Sequence, residues 1–357
     1  MTALGGCTRQ DLVYWREAWL KPAESAIQVR FAKLVTGFRT PEKGLNMTTK
    51  KFEIERLSNL SYEEFAREYL YPMKPVIVTD VLKTWPAMTR WTPEFFKREF
   101  SSIKFKINDA ESGQASFKAD EGVEYRMAEF IDLVLESSDE KPAPYFRNKI
   151  LYDLFPMLKH DIQPLPEYLQ PNWLSERYLV KRISTMLNRG AAMELFIGGK
   201  GAAFPVLHYD GAATHAVLMQ VYGRKQYIVY PPEQGPFLYP SPRKINLSAI
   251  NSLEKPDLDR FPLFANAVPT IFFLDPGEFL FVPSGWWHTA KILSPSITLS
   301  TNIMNQSNWP ELEKYFSAQQ RNSLASLVNR VYLAGAGSWR SWRDREWQRR
   351  VFRAPSA

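Results

Sequence analysis

The chain has 357 residues, 45% of them hydrophobic and 14% aromatic, which is enough apolar side chain for a large core and excludes disorder over most of its length. Its single cysteine, Cys7, excludes an intramolecular disulfide framework and Cys-rich zinc or iron–sulfur sites, and fits a reducing compartment. The net charge is +7, but six arginines against Asp344 and Glu346 between Ser338 and Ala357 make a local +4, and the +3 left over does not mark the body as a nucleic-acid binder.

Met1 to Arg16 has no long apolar stretch of the secretory kind, and no run is long enough to cross a bilayer. A soluble protein of the cytoplasm or nucleus, without membrane attachment, is the expectation. From Asp11 to Phe38 the apolar residues Leu12, Trp15, Trp19, Ile27, Phe31 and Leu34 fall at helical intervals, so residues 1–48 read as a helical extension ending in the connection Thr40–Gly44. A second unit, 49–308, follows. Phe52-Glu53-Ile54-Glu55 alternates like a strand, and Ser61-Tyr62-Glu63-Glu64 is a capping box that opens a helix through Leu70. Lys74–Val78 is strand-like, Thr92-Pro93-Glu94 caps and starts another helix, and Met127–Leu135 reads as a third.

After about residue 190 the pattern changes. Ala216–Tyr222, Tyr227–Tyr230, Thr270–Leu274, Glu278–Pro283 and Ser296–Met304 are short runs rich in Val, Ile, Phe and Tyr, broken by Pro and Gly. They predict an antiparallel barrel or jelly roll over about 190–304, so the fold class is mainly β with flanking helices. From Asn308-Trp309-Pro310-Glu311 the helical pattern returns toward Leu333, and Gly335-Ala336-Gly337 is expected to break it before the Arg/Trp tail; 309–357 forms the C-terminal segment. In that tail Trp339, Trp342 and Trp347 alternate with arginines, which suits stacking on nucleobases, binding acidic partners or, as the favoured reading, an amphipathic helix docking its tryptophans on the body or a second subunit with the arginines in water.

Three of the four histidines, His208, His215 and His288, lie in the β-rich block. His208-Tyr209-Asp210 puts an imidazole and a carboxylate at i and i+2, on one face of an extended segment, where both can reach one ion. His288, 78 residues further on, would complete a two-His, one-carboxylate facial triad, the signature of non-haem Fe(II) oxygenases. An H-x-D alone is weak, since chance gives one in roughly a fifth of chains with so few histidines. A strand-end His bonded to a nearby Asp, and a packed core histidine at His288, are the bland alternatives.

His208-Tyr209-Asp210, Val221-Tyr222-Gly223-Arg224-Lys225, Tyr230-Pro231-Pro232, Asp275-Pro276-Gly277-Glu278 and Pro283-Ser284-Gly285-Trp286-Trp287-His288 occur in that order. Together, over about Phe52–Met304, they resemble the JmjC/cupin-like Fe(II)- and 2-oxoglutarate-dependent oxygenases. The similarity is greatest to the hydroxylase branch that includes the asparaginyl hydroxylase of the hypoxia-inducible factor. The resemblance implies a double-stranded β-helix, with His208, Asp210 and His288 as iron ligands and catalytic centre. It further implies 2-oxoglutarate as co-substrate and O₂ as oxidant.

It also implies that Lys225 meets the far carboxylate of 2-oxoglutarate, with Asn302 and Tyr145 as further co-substrate contacts. Read from the residues alone, Lys225 could be a solvated lysine at a hairpin tip, Asn302 a strand-end amide and Tyr145 a buried core residue. Trp286 and Trp287 read as packing that keeps the site dry. The chain departs from that hydroxylase at Phe204-Pro205-Val206, where a hydroxyl residue is expected, and at Thr214-His215-Ala216, where an Asn is expected; Thr214 or His215 could substitute. The expected activity is hydroxylation of a protein or peptide side chain, with release of succinate and CO₂. N-methyl-lysine demethylation, a tRNA or small-molecule hydroxylase on the same scaffold, and a silent cupin-like binding protein are the alternatives. No chromatin-reading or zinc module is recognised, which favours hydroxylase over demethylase. By analogy with the asparaginyl hydroxylase, the C-terminal helices could form a homodimer.

Overall fold

The structure is a computed structural model that describes residues 52–107, 122–175, 192–242, 244–319 and 331–344. The chain divides after Asn46, and all described residues belong to the second unit, Met47–Ala357. The helical extension expected over 1–48 lies outside the described residues.

Two sheets carry the fold. The larger contains β1 (Glu55–Leu57), β2 (Val76–Val78), β5 (Phe146–Ile150), β6 (Glu194–Gly198), β7 (His215–Tyr222), β12 (Phe279–Val282) and β14 (Ser296–Ile303), in the order β1-β2-β12-β7-β14-β6-β5. Apart from the parallel pair β1–β2, its pairings are antiparallel. The smaller contains β8 (Lys225–Tyr230), β11 (Thr270–Leu274) and β13 (Trp287–Ile292), in the order β11-β8-β13. Two short antiparallel pairs, β3 (Lys104–Ile107) with β4 (Val123–Arg126) and β9 (Pro240–Ser241) with β10 (Lys244–Ser248), lie outside these sheets.

The period of two decides how the layers stack. Val76 and Val78 of β2, with Phe279 and Phe281 of β12, face a core shared with Phe65, Phe96, Phe130 and Phe146. The intervening Ile77, Leu280 and Val282 face the other way, onto Tyr227, Val229, Phe272 and Leu274 of the smaller sheet. The larger sheet is therefore covered on both sides, by helices on one and by the second sheet on the other. This is a jelly-roll, double-stranded β-helix architecture with flanking helices. Because β12 is buried on both faces, it reads as an unbroken apolar run rather than an alternating one.

The predicted helix starts hold. Ser61 caps α1 (Tyr62–Phe65), and the reciprocal bond from Glu64 completes the capping box; the helix runs on through a wide π-type turn at Ala66–Leu70. Thr92 accepts from the Phe95 amide at the head of α2 (Pro93–Glu99), with Pro93 in its first turn. α3 spans Met127–Glu136. Strand predictions are close; the largest shift is at β1, which overlaps the expected Phe52–Glu55 run only at Glu55.

Beyond the barrel, α4 (Trp309–Gln319) and a helix over residues 331–344 (α5) enclose a cluster of Trp173, Leu174, Met304, Trp309, Leu312 and Leu333. Two expectations are corrected here. Gly335-Ala336-Gly337 does not break the helix; a Cβ at Gly337 would lie 2.3 Å from the Trp309 Nε1, so glycine is what allows close approach. The faces of α5 are also reversed from the docked-tryptophan reading. Arg340 is buried between the Trp173 and Trp309 rings, 5.6 and 5.3 Å from their centroids, and Asp344 accepts from the Trp173 Nε1, while Trp339 and Trp342 are exposed. The indole faces offer a buried guanidinium a partner that water does not, and hydropathy alone cannot register that. Among the described residues no helix is long and apolar enough to cross a membrane.

Candidate metal centre and co-substrate pocket

The backbone brings the triad together. His208 sits in an isolated bridge rather than a regular strand: its N–H donates to the His288 carbonyl and His288 N–H donates back, at 3.1 and 2.6 Å. Two residues exchanging both bonds lie directly opposite, with side chains on one face. The rings accordingly meet at a centroid distance of 4.5 Å. Asp210, two residues along from His208, points the same way, and one ligand atom from each of the three residues lies within 4.8 Å of the others. Tyr209, between them, points away and packs edge-on against Trp287.

The hydrogen bonds choose the ligand atoms. His208 Nδ1 is 3.1 Å from the Val206 carbonyl and His288 Nδ1 is 2.9 Å from the Trp286 carbonyl. A carbonyl only accepts, so each Nδ1 carries the proton and each Nε2 presents a lone pair. Asp210 Oδ1 lies 3.7 Å from His208 Nε2 and 4.0 Å from His288 Nε2. Its other oxygen, Oδ2, accepts a hydrogen bond from the Asn302 amide. Three convergent donors, two imidazole Nε2 atoms and one carboxylate oxygen, fit a divalent transition metal with open positions. Burial and the neighbouring His288 lower the His208 pKa to about 4, so the ring is in its neutral, ligating form at neutral pH.

Lys225 is not a hairpin tip. Gly223, at φ +69, turns the chain from the larger sheet into the smaller, and Lys225 is the first residue of β8, 2% exposed. It pairs with Ile292 while Val229 pairs with His288, so Lys225 and His288 share one face of the smaller sheet. Its Nζ donates to the Tyr145 hydroxyl at 2.9 Å and lies over the Tyr145 and Phe196 rings. Burial lowers its pKa to about 7 and pushes that of Tyr145 up. A buried ammonium held by a neutral hydroxyl and two rings suits an incoming carboxylate.

The other predicted residues are placed as follows. Asn302 donates to Asp210, to Thr214 Oγ1 (3.1 Å) and to the His215 carbonyl (3.2 Å). These bonds hold the Asp210 carboxylate and the loop behind it. His215 is fully buried, accepts the Ser284 N–H on Nδ1 (3.0 Å) and meets Ser307 Oγ through Nε2 (2.8 Å). It ties β7 to the Ser284–Trp287 turn that delivers His288. Trp286 donates to the Met73 carbonyl and Trp287 is buried, both as packing.

Sequence reasoning missed two residues. Phe204 stacks on His208 at 4.4 Å and 18°, and the Arg147 guanidinium lies 5.3 Å from the Phe204 centroid and helps to lower the His208 pKa. Phe204 stood in the sequence only as the place of an expected hydroxyl, and Arg147 reaches the site from a separate segment with no spacing signal. The expected hydroxyl before the triad is therefore replaced by an aromatic wall.

A jelly roll that brings together two imidazoles and a carboxylate, with a buried cation on the same sheet face as His288, has the metal-centre architecture of iron-dependent oxygenases. The chain belongs to the family of the cupin-like domain, whose profile matches residues 62–313. Among its relatives, Lysine-specific demethylase JMJ21 of Arabidopsis thaliana is 28% identical over 72% of this chain and 26% of the relative. tRNA wybutosine-synthesizing protein 5 of Gallus gallus is 27% identical over 70% and 76%, and Lysine-specific demethylase 8 of Danio rerio 28% identical over 70% and 57%. The match thus spans about a quarter of the first of these proteins and somewhat over half of the last.

Proposed function

We propose that this protein is an Fe(II)- and 2-oxoglutarate-dependent dioxygenase that hydroxylates a protein or peptide side chain. The observation that carries the reading is the pairing of the triad with a buried ammonium on the same sheet face. The triad offers one atom per ligand, and Lys225 offers a charge that only an anion can balance. Iron and 2-oxoglutarate, when bound, supply oxidative decarboxylation to succinate and CO₂ coupled to oxidation of a substrate C–H bond.

The chain's own residues supply geometry. Val206 and Trp286 carbonyls fix both imidazole tautomers, and Asn302 holds Asp210 so that a single oxygen faces the centre, which leaves positions open for co-substrate and oxidant. Lys225 and Tyr145 orient the far carboxylate of 2-oxoglutarate. Phe204, Trp286 and Trp287 exclude water around the ligands. The choice of a side-chain substrate is supported by the modest charge of the body and by relatives named for lysine- and arginine-specific demethylation. A hydroxylated product stable to isolation distinguishes hydroxylation from demethylation, where the hydroxylated carbon leaves as formaldehyde. The tRNA-named relative, matched over 76% of its length, favours a nucleic-acid substrate as the second reading.

The test is anaerobic addition of Fe(II) and 2-oxoglutarate, followed by the metal-to-ligand absorption band, then O₂ and succinate assay with peptide and tRNA pools. A band in the wild type, lost in His208→Ala and Asp210→Ala, is expected, with succinate stimulated by peptides. No band and no succinate would reject the oxygenase; stimulation by tRNA alone would reject the side-chain substrate.

A further inference from the structure

The loop that carries Asp210 is held in a conformation its own residues do not favour. Ala212 (φ 54, ψ 27) and Ala213 (φ 57) both occupy the left-handed region, and neither is glycine. Two consecutive alanines there are costly, so contacts elsewhere must impose the shape. This is also the segment between the metal carboxylate and the start of β7.

The imposing contacts come from the chain just past β14. Asn308 is fully buried, and its amide donates to the Ala213 carbonyl at 2.8 Å and the Ile303 carbonyl at 3.2 Å. Its Oδ1 accepts the Asn305 N–H at 2.8 Å. Thr214 Oγ1 closes the loop on the Gly211 carbonyl, and Ala212 packs against the cluster of Trp173, Trp309 and Leu312. Asn302 then joins Thr214 Oγ1 to Asp210 Oδ2. A continuous set of bonds thus runs from Asn308 through the strained alanines to the oxygen opposite the metal-facing one.

The bland alternative is that Asn308 merely precedes α4 as its N-cap. The bonds argue otherwise. An N-cap asparagine accepts from its own helix through its side-chain oxygen, whereas Asn308 uses that oxygen on Asn305 and sends its amide 95 residues back along the chain.

We propose that Asn308 is a positioning residue for the metal ligand Asp210: by holding the Ala213 carbonyl it locks the 211–214 loop so that Oδ1 faces both imidazoles. This rests on the triad being the metal site. The consequence is that metal affinity depends on a side chain outside the triad, and that a glycine in the loop should lessen the dependence.

The experiment titrates the full-length apo-protein with Co(II) by calorimetry and visible absorption, for wild type, Asp210→Ala, Asn308→Asp, Asn308→Ala and the double variant Ala213→Gly/Asn308→Ala. Thermal unfolding is recorded for each. Aspartate keeps the N-cap capacity and the shape but cannot donate to a carbonyl. Both Asn308 variants are expected to bind Co(II) at least tenfold more weakly, in the range typical of groups that orient ligands. The double variant should recover at least fivefold over Asn308→Ala, because glycine takes a positive φ without penalty. Less than tenfold loss in Asn308→Asp overturns the proposal. So does a loss in Asn308→Ala that the added glycine does not recover, since that marks plain destabilisation. If Asp210→Ala binds Co(II) as tightly as the wild type, the triad reading itself fails; if only Asp210→Ala weakens binding, this inference alone fails.

Discussion

Raising the pH from 6 to 9 should weaken 2-oxoglutarate binding about a hundredfold, and the cause would be one side chain. Lys225 lies in a site where burial lowers its pKa from 10.5 to about 7, so without ligand the ammonium is present below pH 7 and lost above it. If only the ammonium binds the far carboxylate, the apparent dissociation constant scales as 1 + 10^(pH − 7). Relative to low pH the factor is about 2 at pH 7, about 11 at pH 8 and about 100 at pH 9. His208 does not imitate this profile, because it is already neutral well below pH 6.

The assay is calorimetric titration of the anaerobic, metal-loaded protein with 2-oxoglutarate, in buffers of differing ionisation heat. These report affinity and proton uptake together. Uptake should be about half a proton per ligand at pH 7 and close to one at pH 9. Lys225→Arg, which stays charged, should flatten the profile even if its geometry weakens binding overall. An affinity constant within threefold across the range in the wild type, or binding at pH 9 without proton uptake, would refute the reasoning that joins a lowered Lys225 pKa to a carboxylate-binding ammonium.

Lys225→Met should abolish 2-oxoglutarate binding yet stabilise the apo-protein against urea at pH 6 by on the order of 2 kcal/mol, since it removes a buried charge; destabilisation would mean that the ammonium has a protein counter-charge. Gly337→Ala should lower the thermal midpoint and shift the near-ultraviolet dichroism of the tryptophans, at a cost of about 1–3 kcal/mol, because its methyl group collides with Trp309; an unchanged midpoint would contradict the packing of α5. His215 is buried neutral, with its pKa lowered by burial to about 3. The unfolded chain therefore binds the extra proton first, so its contribution is intact above the unfolded value of 6.5 and falls away below it, by up to about 3 kcal/mol at pH 4; urea titrations on His215→Phe should lack this component of the acid loss.

How much of this was legible in the sequence depends on the range of the interaction. The capping box at Ser61 and the Thr92-Pro93 start are local chemistry, and both hold to the residue. The triad is a non-local contact, but alternation put His208 and Asp210 on one side and ordered motifs supplied His288. Lys225 was ambiguous because Gly223-Arg224-Lys225 reads as a turn whether the chain doubles back within one sheet or crosses to another. Only the second course buries the lysine, and sheet membership is a tertiary fact.

The residues that reasoning along the chain could not place share one property: they act across sequence distance on groups with no pattern of their own. The amide of Asn302 reaches Asp210 and Thr214, because β14 runs beside β7 in a register that sets Asn302 against Ala216, a contact that no spacing in the sequence announces. Arg340 was expected in water, yet two indoles on other segments make burial tolerable. The triad residues were readable because metal chemistry restricts residue type, whereas amides, alanines and aromatic walls orient those side chains without any such restriction. Changes in the orienting residues should therefore move metal affinity and co-substrate geometry while every recognisable motif stays intact.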